Sequence, residues 1–212
     1  MLEKEINSMR YSTPTLLLKY LQYYWAAANA RGHGIHSPFV FQLVKEIFNA
    51  KTTLTQIEKT APVVKKILDQ IEAASSSALA PKIKLLLARL LQSYPPLTIS
   101  VTGGKKQFEG DYTINKNATI ELIESVESID FAFIGEGQDG ARLLQSANHL
   151  IDKMHSNSWI ILHGIHADAD METAWNALKK HSKIRLSIDL FSIGILFCRT
   201  AQKEQEHFII RY

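Results

Sequence analysis

Apolar positions recur along this chain with two different periods. Leu17, Leu18, Leu21, Tyr24 and Trp25 fall at three- and four-residue spacing and predict a helix. Thr13-Pro14 predicts its start, a hydroxyl cap followed by proline in the first turn, and Gly32 and Gly34 predict its end. Ser37-Pro38 opens a second helix in the same way, with Phe41, Val44, Ile47 and Phe48 as its apolar stripe. A third helical region holds Ile57, Val63, Val64, Ile67, Leu68 and Ile71, and Pro62 divides or starts it. The small-residue stretch Ala73-Ala74-Ser75-Ser76-Ser77-Ala78 then reads as a boundary. It separates an N-terminal helical region, residues 1–78, from a domain over residues 79–212.

After Pro81 the pattern changes. Ile83 to Leu91 predicts an apolar helix, stopped by Tyr94-Pro95-Pro96. Leu97 to Val101, Phe131 to Ile134 and Trp159 to Leu162 are short apolar runs of strand length. Asp111 to Ile114 reads as another strand. Helices are expected over Asn117 to Val126, Asp139 to Met154 and Asp170 to His181. Two strands, Ile184 to Asp189 and Ile193 to Cys198, are joined so tightly that they should pair antiparallel. His207 to Arg211 adds one more. Strands alternating with helices predict an α/β fold with a mostly parallel sheet covered on both faces. Ligands of such sheets bind beyond the C-terminal ends of the strands. That directs attention to Thr102 to Gly104, Gly135 to Gln138 and His163 to His166.

Composition narrows the function classes. The chain has 212 residues, 46% hydrophobic and 21% charged, with a net charge of +3. A small excess of Lys and Arg without a dense tract does not point to nucleic acid. The run from Thr15 to Ala30 is interrupted by Lys19, Gln22 and Asn29, too short and too polar to span a bilayer, and MLEKEINSMR has no apolar signal core. A cytoplasmic location is the expectation. Cys198 is the single cysteine and reads as a buried thiol in a strand. Tyr20, Tyr23, Tyr24 and Trp25 cluster on the first helix. Core or interface packing accounts for them, and an exposed stripe there would indicate a second copy of the chain or a protein partner.

The string His-Gly-Ile-His occurs twice, from His33 to His36 and from His163 to His166. Histidines at this spacing can both reach one zinc or transition-metal ion. The flanks differ, so the strings are not a duplication. His33 and His36 sit in a Gly-His-Gly-Ile-His-Ser-Pro segment that reads as a structural turn or a candidate site. His163 falls where a sheet ligand should be, as a proton acceptor or, with His166, a metal ligand.

Gly32-His33-Gly34-Ile35-His36-Ser37-Pro38-Phe39-Val40-Phe41 is one of two characteristic blocks. The other runs from Ala174-Trp175 through Ile184 to Phe191 and on to Phe208-Ile209-Ile210-Arg211-Tyr212. In these blocks, and in the helix and strand from Pro81 to Thr102, the chain resembles class I S-adenosylmethionine-dependent methyltransferase-like proteins of Bacteroidetes. The resemblance implies a Rossmann-like sheet, S-adenosylmethionine as cofactor and a site at the strand ends. It places Gly103, Gly104 and Glu136 near that cofactor.

The chain departs from the implied pattern in three places. Val101-Thr102-Gly103-Gly104 is followed by Lys105-Lys106-Gln107, without a third spaced glycine or an apolar helix. The 26 residues from Gly104 to Ile129 replace three helices and two strands, which would need roughly 60 residues. Gly135-Glu136-Gly137 and His163-Gly164 stand where carboxylates are expected, and their loss removes the oxygen ligands that Mg²⁺ prefers. Glu121 or Glu124 would hold the cofactor ribose only if Thr119 to Ile123 were a strand, whereas Ile120, Ile123 and Val126 recur at helical spacing. These departures predict a shortened, non-catalytic methyltransferase-like fold used for interaction or assembly through its N-terminal helices. The competing expectations are an active O- or N-methyltransferase with His163 as base, and a histidine-based metal or small-molecule module.

Overall fold

The computed structural model describes residues 10–28, 36–76, 78–103, 108–115, 119–137, 139–200 and 202–212. Among the described residues, five helices come first: α1 (Thr13–Ala26), α2 (Pro38–Leu43), α3 (Leu54–Thr60), α4 (Pro62–Ala74) and α5 (Pro81–Ser93). A π-helical turn, Val44–Phe48, continues α2. Pro14, Pro38, Pro62 and Pro81 each lie in the first turn of a helix, where proline's missing N–H costs nothing. The residue preceding α1 is Ser12 rather than the expected Thr13, and its hydroxyl bonds the Thr15 hydroxyl at 2.9 Å. Thr53 and Gln56 close a reciprocal capping box on α3.

Eight strands follow: β1 (Thr98–Gly103), β2 (Phe108–Ile114), β3 (Ile120–Ile123), β4 (Ile129–Ile134), β5 (Met154–His163), β6 (Leu186–Asp189), β7 (Ile193–Phe197) and β8 (Glu206–Ile209). Helix α6 (Gly140–Asp152) lies between β4 and β5, and α7 (Ala169–Lys179) between β5 and β6. All eight strands form one sheet in the order β3-β2-β1-β4-β5-β7-β6-β8.

Side chains alternate between two cores. Phe131 and Phe133 of β4, and Trp159 and Ile161 of β5, pack with Ile67, Leu68, Leu86 and Leu90 of α4 and α5. Ala132 and Ile134, with Ile160 and Leu162, pack on the other face against Leu143, Ile151, Trp175 and Leu178 of α6 and α7. A continuous apolar run is what a strand needs when both its faces are covered. Cys198 is buried in the second core, and burial pushes its thiol up to about 11. Among the described residues, no helix is long and apolar enough to cross a membrane.

The sheet is mixed, not mostly parallel. Only β1–β4, β4–β5 and β6–β8 run parallel, whereas β1–β2, β2–β3, β5–β7 and β6–β7 are antiparallel. The tight β6–β7 hairpin follows the sequence expectation. The surplus antiparallel pairs come from the short segment after β1. It has no length for crossover helices, so the chain returns as a meander, which short connections permit.

The same segment overturns the helix expected over Asn117 to Val126, whose described part contains β3. Positions three apart share one face of a helix but lie on opposite faces of a strand. Ile120 accordingly packs against the core under α4, and Ile123 against the core under α6. Their spacing fits either element, and the edge of β2 decided between them.

Candidate functional site

The C-terminal ends of β1, β4 and β5 lie side by side and present Gly103, Gly135-Glu136 and His163. Here the backbones are pressed together. Gly135 N–H donates to the Thr102 carbonyl at 2.7 Å. Gly103 adopts φ +136°, and a Cβ on it would stand 2.7 Å from the Gly135 nitrogen. A Cβ on Gly135 would stand 2.6 Å from the carbonyl oxygen of Ala74, the last residue of α4. The Ser76 hydroxyl then donates to the Glu136 carbonyl at 3.0 Å. The end of α4 is thus clamped over the β1–β4 seam, and these glycines serve close backbone approach.

Glu136 carries the next layer. One carboxylate oxygen accepts from Arg10 at 2.8 Å, and the other lies 3.6 Å from His163 Nδ1. The glutamate and histidine side chains are only 13% and 11% exposed. At 3.6 Å the pair is not hydrogen-bonded, and among the described residues the buried Nδ1 has no hydrogen-bond partner. Burial lowers the His163 pKa, Glu136 partly opposes this, and Arg10 adds to the lowering. His163 is therefore a neutral imidazole near pH 7, beside a carboxylate.

His166, three residues on, has the opposite surroundings. Its Nδ1 is 2.8 Å from Glu172 of α7, and its Nε2 is 2.8 Å from Asp189 at the end of β6. Burial works to lower its pKa, but the bonds and charges of Asp189 and Glu172 outweigh this and raise it. A ring facing carboxylates at both nitrogens is held as the imidazolium, donating twice. Asp189 also accepts from Trp175 Nε1 at 3.3 Å and from Phe191 N–H at 2.9 Å.

This network anchors α1. Glu172 accepts from Lys19 at 2.8 Å and from the Tyr11 hydroxyl at 3.0 Å. Burial alone would raise the Glu172 pKa; the bonds from Lys19, His166 and Tyr11 bring it below the ordinary value. Phe191, at φ +69°, stacks on the His166 ring with centroids 5.3 Å apart and meets the Tyr20 ring edge-on at 5.0 Å. Tyr23 packs on Phe191 and donates its hydroxyl to the Ile210 carbonyl. Two cations, His166 and Lys19, balance two carboxylates, Glu172 and Asp189.

The expected site residues are thus divided. Gly103, Glu136 and His163 come together at the strand ends, whereas His166 belongs to the α1 anchor. Gly104 and His33 lie outside the described residues, and His36 is exposed just before α2. The carboxylates around His166 sit on opposite ring nitrogens, so no single point reaches all three groups. Among the described residues, no group of three or more His, Cys, Asp or Glu could hold a metal ion. Glu121 is on β3 after all, but β2 separates it from β1, and its carboxylate bonds Asn115 at 2.9 Å. The described residues do not fit S-adenosylmethionine. The Gly103–Gly135 seam is filled by the chain's own backbone, and the exposed acid is two strands away.

Sequence reasoning missed Arg10 beside Glu136, and it missed Tyr11, Lys19, Glu172 and Asp189 around His166. Lys19 and Glu172 are 153 positions apart, and no spacing rule links them. No protein-family model matches the chain, and no match was found among curated proteins or solved structures.

Proposed function

We propose that this chain works in the cytoplasm as a non-catalytic protein on a methyltransferase-like sheet, associating through α1 with a second copy of itself. The observation that carries the reading is the outer face of α1. Trp25 is 85% exposed, Leu17 60% and Leu18 57%, with Leu21 and Tyr24 also exposed. The opposite side of the helix is held by Lys19, Tyr20 and Tyr23. The outer face therefore stays presented while the helix remains fixed. A contiguous apolar face of this kind marks an interaction surface. It contains no acidic residue, so it asks for no charged complement. Two such neutral seams complement each other across a two-fold axis.

Sedimentation velocity tests this. The parent chain should sediment as a dimer, and Leu17→Glu combined with Trp25→Glu should give a monomer with unchanged circular dichroism. A monomeric parent at tens of micromolar contradicts the reading.

The buried Nδ1 of His163, without a hydrogen bond among the described residues, favours one other reading. In it the protein is a methyltransferase on an oxygen or nitrogen nucleophile, and His163 takes the proton. Saturable S-adenosylmethionine binding, together with a pH-dependent transfer rate lost in His163→Gln, would support it over the first.

A further inference from the structure

The parallel strands begin at the opposite edge of the sheet, and a cavity of about 450 Å³ opens there. That volume suits a small molecule. Trp159 and Phe197, both buried, form part of its wall. Phe39 of α2 lies edge-on to Phe197, with ring centroids 5.5 Å apart. Tyr94, from the loop before β1, stands at the mouth.

One charge in this cavity has no ion-pair or hydrogen-bond partner among the described residues. The Arg199 guanidinium carbon lies 3.7 Å from the centre of the Phe39 ring. Among the described residues, no carboxylate approaches Arg199 within ion-pair distance, and its guanidinium makes no hydrogen bond. Stacking uses a face of the guanidinium and leaves its N–H edge available for a bidentate acceptor. The Tyr94 hydroxyl likewise makes no hydrogen bond to the described residues.

The acid at this edge does not fill the vacancy. One Asp130 oxygen accepts from the backbone N–H groups of Leu97 and Thr98 at 2.7 and 2.9 Å. The other is 2.8 Å from His155 Nε2, while His155 Nδ1 accepts from Asn157 N–H at 3.2 Å. Asp130 and His155 are therefore spent on one another and on the backbone where β1 and β4 start.

We infer that this cavity binds a small aromatic carboxylate, its ring against Phe39 and Trp159 and its carboxylate on the N–H edge of Arg199. The single positive charge matches a monoanion, and the flat walls match a flat ring. The Tyr94 hydroxyl supplies a further donor at the rim. This site is separate from the α1 face and from the Glu136–His163 pair.

The probe is 1-naphthoate, titrated into the full chain by calorimetry, with the neutral alcohol 1-naphthalenemethanol and inorganic phosphate as comparisons. Binding of 1-naphthoate should saturate, and the alcohol should bind about tenfold more weakly, the worth of a charge-assisted bond. Arg199→Gln should weaken 1-naphthoate by about tenfold while leaving the melting temperature unchanged. Arg199→Lys, which keeps the charge and loses the fork, should fall between. Equal affinity for the acid and the alcohol overturns the inference, as does no saturation up to about 10 mM. Phosphate binding as tightly as 1-naphthoate would show that the ring is irrelevant, and also overturns it. The acid–alcohol comparison is made on the parent chain, so it decides the question even if an Arg199 variant fails to fold.

Discussion

At the C-terminal ends of β1, β4 and β5, Glu136, His166, Glu172 and Asp189 are each bonded to groups of the same chain. At the N-terminal ends of the same strands, Arg199 rests on the Phe39 ring, and no carboxylate among the described residues lies within ion-pair distance of it. In parallel sheets the first edge is where ligands normally bind. Here most of it is spent on holding two helices, the end of α4 over Gly103 and Gly135 and α1 over His166, while the buried His163 Nδ1 has no hydrogen bond among the described residues. The opposite edge keeps an open cavity. The direction of the strands alone therefore does not locate a site; the partners of each polar group do.

The largest effect that sharpens this contrast comes from the glycine seam. Gly135→Ala sets a methyl group against the Ala74 carbonyl, and Gly103→Ala adds a strained φ to a backbone clash. Each should cost about 3–5 kcal/mol in urea unfolding. A loss below about 1 kcal/mol would mean that α4 is not clamped there.

Next is His166→Ala, which leaves Glu172 and Asp189 facing each other without their shared cation. The site is partly exposed, so the loss should be about 2–3 kcal/mol, below the range for a fully buried pair. A smaller loss, about 1–2 kcal/mol, is expected at the other edge for Asp130→Asn, which weakens the bonds from the Leu97 and Thr98 amides and from His155.

Two histidines three positions apart should then titrate in opposite senses. The His166 pKa is raised above its ordinary 6.5, so its stabilisation is fully present below about pH 6.5 and is lost as pH rises through the folded value. The His163 pKa is lowered, so the fold loses stability as pH falls below about 6.5 through its folded value. Melting temperature against pH should lose its alkaline decline in His166→Gln and have a weaker acid decline in His163→Gln. Identical profiles in both variants would break the distinction. The smallest effect is Arg10→Ala: Arg10 is 63% exposed, and its loss should cost less than about 1 kcal/mol.

Much of the layered fold was legible because some segments admit one interpretation. Phe131 to Ile134 and Trp159 to Leu162 are apolar throughout and short, which suits only strands buried on both faces. Pro62 and Pro81 mark helix starts directly. Ile120 and Ile123 admit two interpretations, and pairing with β2 settled the matter for a strand. The candidate site was less legible. His163 and Glu136 are found from strand ends, but whether a histidine is buried neutral or held as a cation depends on residues far away in sequence. His163 and His166 sit in the same four-residue string and differ because Glu172 and Asp189 reach only the second. The apolar stripe of α1 was plain in the sequence, whereas its exposure was not.

Among the described residues, backbone and bonded side chains occupy most of the C-terminal ends of β1, β4 and β5. Isothermal titration of the full chain with S-adenosylmethionine tests this occupancy most directly. No saturable heat is expected at millimolar cofactor. Saturable binding with low-micromolar affinity, weakened by Glu136→Gln, would contradict it.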